Sequence, residues 1–202
     1  MLQQELFPED TKFTARDPRK HCDSLFYALM PHPRAARHLT GFAWSALSTA
    51  GQTPDNWTFL ETGRLHLSLQ SVREQYELEE KYAWLGKQVA QKIMSPAFEL
   101  TFDAMGTFPP IPSREDHRPF ILLGDNSALR ELFQRLGAEM CRMGWRAHID
   151  FEPHLTLAYG PHAVPFQHIV PIRLLFTEFV LIKSAKGSHH YDICGRWPLL
   201  GG

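Results

Sequence analysis

The sequence has few of the features that are typical of secreted proteins, membrane proteins or proteins with a structural metal site. Its 202 residues include only three cysteines, Cys22, Cys141 and Cys194, none in C-x-x-C spacing. An odd number without that spacing argues against both a disulfide framework and a zinc knuckle. No segment approaches the roughly 20 consecutive apolar residues of a membrane span, and residues 1–10 lack the basic start and apolar run of a secretory signal. We therefore expect a cytoplasmic protein that does not associate with membranes.

An excess of charge of either sign is also missing. The chain has 21 Lys and Arg against 22 Asp and Glu, a formal net charge of −1 and a pI near 6.8. Proteins that coat nucleic acid rely on many cationic contacts with phosphates, so we expect any RNA ligand to be held only by its end. A hydrophobic fraction of 44% is typical of a chain with a core. We expect a monomer with one domain over residues 23–202, preceded by an extension over 1–22.

Hydrophobic periodicity predicts alternating strands and amphipathic helices. Helices are predicted over 34–50, 74–94 and 127–143, and strands over 24–30, 64–70, 98–108, 119–124 and 153–159. The last two strands, 176–183 and 190–194, are predicted to form a hairpin. Prolines and charged residues over 109–116 suit neither element, so we expect the connection between two lobes near residues 106–118.

The predicted elements occur in the same order twice. Strand 24–30, helix 34–50 and strand 64–70 are matched by strand 119–124, helix 127–143 and strand 153–159. This order predicts two lobes around a shared cleft. Strand–helix–strand units are common, however. From the order of elements alone, it is equally possible that the two units are unrelated.

The matched polar feature of the two units is a histidine followed two residues later by a hydroxyl. The pairs are His66 with Ser68 and His154 with Thr156. Residues i and i+2 of a strand share a face, so each pair would present an imidazole beside a hydroxyl. Opening a cyclic phosphodiester needs a base, an acid and donors to the nonbridging oxygens. Two histidines and two hydroxyls supply these groups without a metal.

Other interpretations of the histidines remain open at this level. In a chain with 11 histidines, about one His-x-Ser/Thr arises by chance. A single such histidine is more often a half-buried strand residue than a catalyst. Metal binding is disfavoured because there is no H-E-x-x-H motif and because His189 and His190, adjacent in the predicted hairpin, would point in opposite directions. We expect neither metal nor cofactor.

Further motifs extend over most of the chain. They are His66-Leu67-Ser68-Leu69, Pro153-His154-Leu155-Thr156-Leu157, Leu25-Phe26-Tyr27-Ala28-Leu29, Glu178-Phe179-Val180-Leu181 and Gly195-Arg196-Trp197-Pro198-Leu199, together with Tyr191. On these motifs the chain resembles the 2′-5′ RNA ligase-like proteins, or RNA 2′,3′-cyclic phosphodiesterases, of the two-histidine phosphoesterase superfamily. The resemblance implies a bilobal α+β fold in which two antiparallel sheets with outer helices are related by a pseudo-twofold axis around a central cleft.

The resemblance also implies an activity and roles for individual residues. It implies hydrolysis of an RNA 2′,3′-cyclic phosphate end to a 2′-phosphate, with 2′-5′ ligation of RNA as the reverse chemistry. By analogy His66 would protonate the leaving 3′ oxygen and His154 would activate water, while Ser68 and Thr156 would bind the phosphate. A small cyclic nucleotide or an ADP-ribose cyclic phosphate is an alternative substrate. A noncatalytic module that binds RNA ends or nucleotides is an alternative function.

Three positions depart from the family pattern. Ser68 stands where threonine is more frequent, Ser24 replaces a basic residue, and Tyr159 replaces an arginine that many relatives carry after the second motif. Arg64, Arg73 or Lys186 could supply the missing charge, although a surface cation more often simply meets solvent. Phe26, Tyr27 and Tyr159 are candidate substrate-binding residues because bases stack on aromatic rings. At least one of Phe26 and Tyr27 should instead belong to the core.

Overall fold

The computed structural model describes residues 22–110, 116–185, 187–188 and 190–200. The predicted extension 1–22 therefore lies outside the described residues except for Cys22. In the described part the chain forms the strands β1 (Asp23–Leu29), β2 (Thr58–Phe59), β3 (Leu67–Gln75), β4 (Phe98–Thr107), β5 (Arg118–Gly124), β6 (His154–Gly160), β7 (Gln167–Phe176), β8 (Glu178–Ser184) and β9 (Asp192–Pro198) and the helices α1 (Pro33–Thr49), α2 (Glu80–Ala90) and α3 (Ser127–Arg142).

The strands form one antiparallel sheet in the order β7-β4-β5-β6-β3-β1-β8-β9, with β2 paired to β6. Strands β6-β5-β4-β7 make one half and β3-β1-β8-β9 make the other. The two halves pair with each other at Leu67 and Leu155. The predicted α+β class is confirmed, and the two expected sheets are joined at this pair into a single sheet.

The chain exchanges strands between the halves. Strand β4 follows the first strand–helix–strand unit but pairs with β5, and β8 follows the second unit but pairs with β1. The expected lobe connection near residues 106–118 is therefore wrong, because this segment links the neighbouring strands β4 and β5 of one half. The chain changes halves between β3 and β4 and again between β7 and β8.

The main core lies between the sheet and its helices. Helix α1 contributes Leu39, Ala43 and Leu47, and helix α3 contributes Leu132 and Leu136, all essentially buried. A second, smaller cluster contains Ala28, Val180 and Ile182, packed with side chains of Phe26, Met30, Tyr191 and Ile193. Because strand neighbours point to opposite faces, this cluster lies on the face of the sheet away from the main core.

One predicted helix begins later in the chain than expected, and one observed strand was not expected. The helix predicted over 74–94 begins at Glu80, because β3 continues to Gln75 and Glu77 adopts a positive φ of 54° that a helix cannot contain. Strand β7 was not predicted at all. It pairs with β4 alone, is mostly exposed and contains Pro171, so it lacks the hydrophobic alternation by which strands are recognised. Among the described helices, none is both long and apolar enough to cross a membrane.

Candidate active site

The two motif histidines lie on either side of the pair that joins the two halves of the sheet. His66 immediately precedes β3, and His154 is the first residue of β6. Leu67 and Leu155 are paired and fully buried in the main core. Extending this antiparallel register by one residue places His66 opposite Thr156 and Ser68 opposite His154, with cross-strand Cβ separations of about 5 Å. All four predicted groups therefore meet on the face away from the helices.

Both imidazoles are oriented by the backbone in the same way. Nδ1 of His66 lies 2.8 Å from the carbonyl oxygen of Arg64, and Nδ1 of His154 lies 2.8 Å from that of Glu152. A carbonyl can only accept a hydrogen bond, so each Nδ1 carries the proton and donates. In the neutral rings Nε2 is then the basic nitrogen, available to the cleft.

His66 has an aromatic surrounding. Its ring centroid lies 5.2 Å from that of Phe26 and 5.4 Å from that of Tyr191, and the Tyr191 hydroxyl is 3.5 Å from His66 Nδ1. Burial lowers the pKa of His66 to about 4, and the charges of His154 and Arg64 act in the same direction, against the hydrogen bond to the Arg64 carbonyl. His66 is therefore neutral at physiological pH.

His154 lies against a different pair of rings. Phe108 meets it edge-on at 5.0 Å between centroids, and Phe166 packs on Phe108 at 6.0 Å. Phe166 is half exposed, and its ring packs over Gly106 of β4. A Cβ atom at position 106 would lie only 2.6 Å from Cδ1 of Phe166. Glycine at 106 therefore makes room for an aromatic wall beside His154.

A β-bulge follows each motif and changes which side chains face the cleft. In β3, Leu69 and Gln70 both oppose Tyr27, and in β6, Leu157 and Ala158 both oppose Phe120. All four bulge side chains are buried toward the helices. The extra residue shifts the alternation by one, so the residues after the bulges, Ser71 and Tyr159, return to the face of the motifs.

Tyr159, a candidate substrate-binding residue, therefore lies on the same face as the two motifs. Its ring stacks on His117 with centroids 4.3 Å apart and an interplanar angle of 4°. Burial raises the pKa of Tyr159, and Tyr191 adds to this rise, whereas Arg64 and hydrogen bonding by the Thr156 hydroxyl oppose it. Tyr159, Thr156, Tyr191 and Arg64 thus belong to one cluster across both halves.

The two aromatic candidates on β1, Phe26 and Tyr27, lie on opposite faces of the sheet. Phe26 contacts His66, as described above. Tyr27 points to the opposite face, is fully buried, and donates a hydrogen bond from its hydroxyl to the Gly86 carbonyl oxygen at 2.7 Å. The prediction of Tyr27 as a substrate-binding residue is therefore wrong, because successive residues of a strand alternate between faces.

Several residues near the histidines were not predicted as site residues. Tyr191, Phe108 and His117 contact site residues through tertiary packing. Tyr191 is among the residues that carry the family resemblance, but no sequence pattern assigned any of the three to the site. The position of Arg64 could have been predicted from spacing. It lies two residues before His66, just as Ser68 lies two residues after it, and this spacing favours the same face of a strand. Its guanidinium carbon lies 4.8 Å from the centroid of the Tyr191 ring. Arg73, by contrast, contacts Gln75 and Tyr82, and Lys186 lies outside the described residues.

A cavity of about 480 Å³ continues from Tyr191 along the same face of the sheet. Its lining includes Met30, Gly63 and Ile193, and the ion-paired side chains of Glu178 and Arg196. In the part of the chain that the structure describes, no three side chains of His, Cys, Asp or Glu converge in a way that could hold a metal ion.

Two strand–helix–strand units that bring paired histidines and hydroxyls to one cleft define a two-histidine phosphoesterase. Residues 43–187, more than half of the chain, match the family model of the 2′-5′ RNA ligase superfamily. The chain belongs to the 2′-5′ RNA ligase superfamily, and the predicted family is confirmed. At this level of description it is a 2′-5′ RNA ligase-like phosphoesterase.

Solved structures with a similar fold support this assignment. The chain is similar to E. coli LigT in its apo form, with 26% identity, a TM-score of 0.64 and coverage of 90% of this chain and 99% of LigT. It is also similar to a protein described as a phosphoesterase, at 25% identity, TM-score 0.66 and coverage of 89% and 99%. A Thermus thermophilus protein, TT0787, shares the fold at 22% identity, TM-score 0.64 and coverage of 88% and 98%. No curated protein matches the chain.

Proposed function

We propose that this protein hydrolyses the 2′,3′-cyclic phosphate at an RNA end to a 2′-phosphate by metal-independent acid–base catalysis. The arrangement around Leu67 and Leu155 carries the proposal, because it holds two imidazoles and two hydroxyls on one face. Both imidazoles are fixed through Nδ1, which leaves each Nε2 to exchange a proton with a group bound between them. In the proposed complex Ser68 and Thr156 donate to the nonbridging oxygens.

The lowered pKa of His66 supports the following acid and base roles. His66 is neutral in the free protein, so its Nε2 takes a proton from water as the water oxygen attacks phosphorus. The bond from phosphorus to the 3′ oxygen breaks, and His154, acting as the acid, donates a proton from its Nε2 to that oxygen. The product is a 2′-phosphate with a free 3′ hydroxyl. This assignment is the reverse of the one that the family resemblance implied.

The aromatic rings beside both histidines favour a substrate that carries a nucleobase. Phe26 and Tyr191 line the His66 side, and Phe108 and Phe166 line the His154 side. Base stacking on such rings tolerates any sequence and needs no net charge on the protein. E. coli LigT, which is similar in fold, has been crystallised with phosphate, with 3′-AMP and with ATP.

The test is hydrolysis of an oligonucleotide with a 2′,3′-cyclic phosphate end, measured in EDTA, with H66A and H154A as variants. We expect product with a 2′-phosphate and a loss of about 10²–10⁴-fold in each variant. Near-full activity of both variants would refute the assignment. H38A is a matched control because His38 is exposed on helix α1 and does not line the cavity.

The same assays separate the alternatives. Higher kcat/KM for a cyclic mononucleotide or an ADP-ribose cyclic phosphate than for the oligonucleotide would make a small nucleotide the substrate. Tight binding of the cyclic-ended oligonucleotide without product would indicate a noncatalytic binding module. Adding an RNA with a 5′ hydroxyl to the reaction tests for the reverse 2′-5′ ligation. Since one chain supplies all four groups, we expect activity from a monomer, which size-exclusion chromatography can check.

A further inference from the structure

Arg64 is a cation beside the proposed catalytic groups whose side chain has an unused hydrogen-bond donor. It ends the 3-10 turn Thr62–Arg64 and is only partly exposed. Its guanidinium carbon lies 4.8 Å from the centroid of the Tyr191 ring, and its Nε is buried without a hydrogen-bond partner. Among the described residues no carboxylate forms an ion pair with it. A buried donor without a partner is costly unless a ligand satisfies it.

Arg64 also faces both halves of the cleft. Its charge lowers the pKa of His66 on one strand and that of Tyr159 on the other. The contact with Tyr191, whose hydroxyl is 3.5 Å from His66 Nδ1, holds the plane of the guanidinium next to the imidazole. The guanidinium therefore lies where a group bound between the histidines can reach it.

The reaction needs a positive charge that the other groups supply only in part. A cyclic phosphodiester carries one negative charge, and attack by a water that loses its proton to His66 adds a second to the phosphoryl oxygens. His66 starts neutral, and Ser68, Thr156 and Tyr159 are uncharged donors. A fixed cation next to the oxygens stabilises the charge that develops.

We propose that Arg64 is a catalytic residue that binds a nonbridging oxygen of the substrate phosphate through its guanidinium. The proposal rests on the proposed function, because it takes the phosphate to lie between His66 and His154. Tyr159 occupies the position where many relatives carry an arginine, and its side chain has no positive charge. Arg64 then supplies this charge from the first half of the chain.

Arg73 provides a matched control within the same region of the chain. Like Arg64 it stacks on a tyrosine, with its guanidinium carbon 5.0 Å from the Tyr82 ring centroid. Its Nε, however, donates to Gln75 Oε1 at 3.2 Å, and its side chain is exposed. It pairs with Leu25 at the far end of β3 from His66. Replacing Arg73 removes the same kind of cation without touching the cleft.

The experiment compares R64Q, R64K and R73Q for hydrolysis of 2′,3′-cyclic AMP and for binding of inorganic phosphate. The carbonyl that orients His66 belongs to the backbone and is retained in every variant. We expect R64Q to lose about 10²-fold in kcat/KM, R64K to recover part of this loss, and R73Q to match the wild type. Binding of phosphate, followed by the imidazole NMR signals of His66, should weaken in R64Q alone.

The pH dependence distinguishes a charge effect from a structural one. Arg64, His154 and the Tyr191 hydroxyl face His66, and removing the Arg64 charge raises the pKa of His66. The acid limb of the kcat/KM profile should therefore move to higher pH in R64Q and stay in place in R73Q. Thermal unfolding of both variants shows whether either has lost its fold.

The outcomes separate this inference from the proposed function. Wild-type hydrolysis with unchanged kcat/KM and phosphate binding in folded R64Q would overturn the role of Arg64 and leave the phosphodiesterase intact. Phosphate binding that depends on Arg64 in a protein without hydrolysis would support the role of Arg64 and refute the phosphodiesterase. A loss in R64Q that R73Q shares would mean that the effect is not specific to the cleft, and it too would overturn the inference.

Discussion

The side-chain amide of Gln70 is hydrogen-bonded on both sides to the backbone of His148. Its Nε2 donates to the His148 carbonyl oxygen at 3.0 Å, and its Oε1 accepts from the His148 N–H at 2.9 Å. Gln70 is the bulge residue of β3 and is fully buried, whereas His148 lies on the segment that leads into β6. The strand that carries the first motif is thus hydrogen-bonded to the segment that precedes the second motif. The Gln70 amide can do this because it has both a donor and an acceptor.

Replacing Gln70 should therefore destabilise the protein markedly. Q70L leaves the His148 N–H and carbonyl without their partner, and we expect it to lower the free energy of unfolding by about 2–4 kcal/mol. Urea denaturation measures this change. Q91L is the matched control, because Gln91 is exposed, and it should stay within about 0.5 kcal/mol of the wild type. Equal stability of Q70L and Q91L would contradict the role given to the Gln70 amide.

The lowered pKa of His66 predicts a defined dependence of stability on pH. Burial holds the pKa at about 4 in the folded protein, against 6.5 for an ordinary histidine. The unfolded chain therefore binds more protons between these values, so the His66 contribution is complete above pH 6.5 and is lost as pH falls toward 4. Urea unfolding across this window should show a weaker pH dependence in H66N than in the wild type. H38N, at an exposed position, should keep the wild-type dependence.

The assignment of His154 as the acid can be checked with the leaving group. A 4-nitrophenoxide leaves without a proton, so a nucleotide 4-nitrophenyl phosphodiester should restore much of the rate lost in H154A. H66A should remain impaired on the same substrate, since water still needs a base. Steady-state kcat values on this ester and on the cyclic phosphate give the comparison. Restoration of H66A instead of H154A would reverse the two roles.

The hydroxyls of the motifs should contribute to the rate through the phosphoryl oxygens. We expect S68A and T156V each to lower kcat by about 10–10²-fold, because each removes one donor to the developing charge. S68T and T156S keep the donor and should remain near the wild type, as should S45A, whose hydroxyl is exposed on helix α1. A uniform effect of all five substitutions on kcat would argue against a role for the hydroxyls.

The aromatic wall beside His154 should affect substrate binding more than the chemical step. F166L keeps an apolar side chain but loses the stacking surface, and we expect KM for 2′,3′-cyclic AMP to rise about 5–100-fold with a smaller change in kcat. V170A alters a more exposed apolar residue on the neighbouring strand β7 and serves as the control. An unchanged KM in F166L would exclude this ring as a stacking surface.

Much of the fold was predictable because its signals are local. The apolar periodicity of α1 and α3 and the alternation around His66 and His154 are set within single elements. Strand β7 escaped prediction because its partner, β4, and not its own side chains, makes it a strand. The connection over residues 106–118 was misassigned because a proline-rich segment shows where an element ends but not which strand comes next to it.

The sequence alone determined which chemical groups share a face, because the spacing of His66 with Ser68 and of His154 with Thr156 places each pair on one face of its own strand. The tertiary structure decided what surrounds these pairs. The Leu67–Leu155 pairing, the bulge that returns Tyr159 to the cleft, and the packing of Arg64 on Tyr191 all depend on residues far apart in the chain. Cross-strand register and burial arise only when distant segments pack together, so no periodicity within one strand could reveal them.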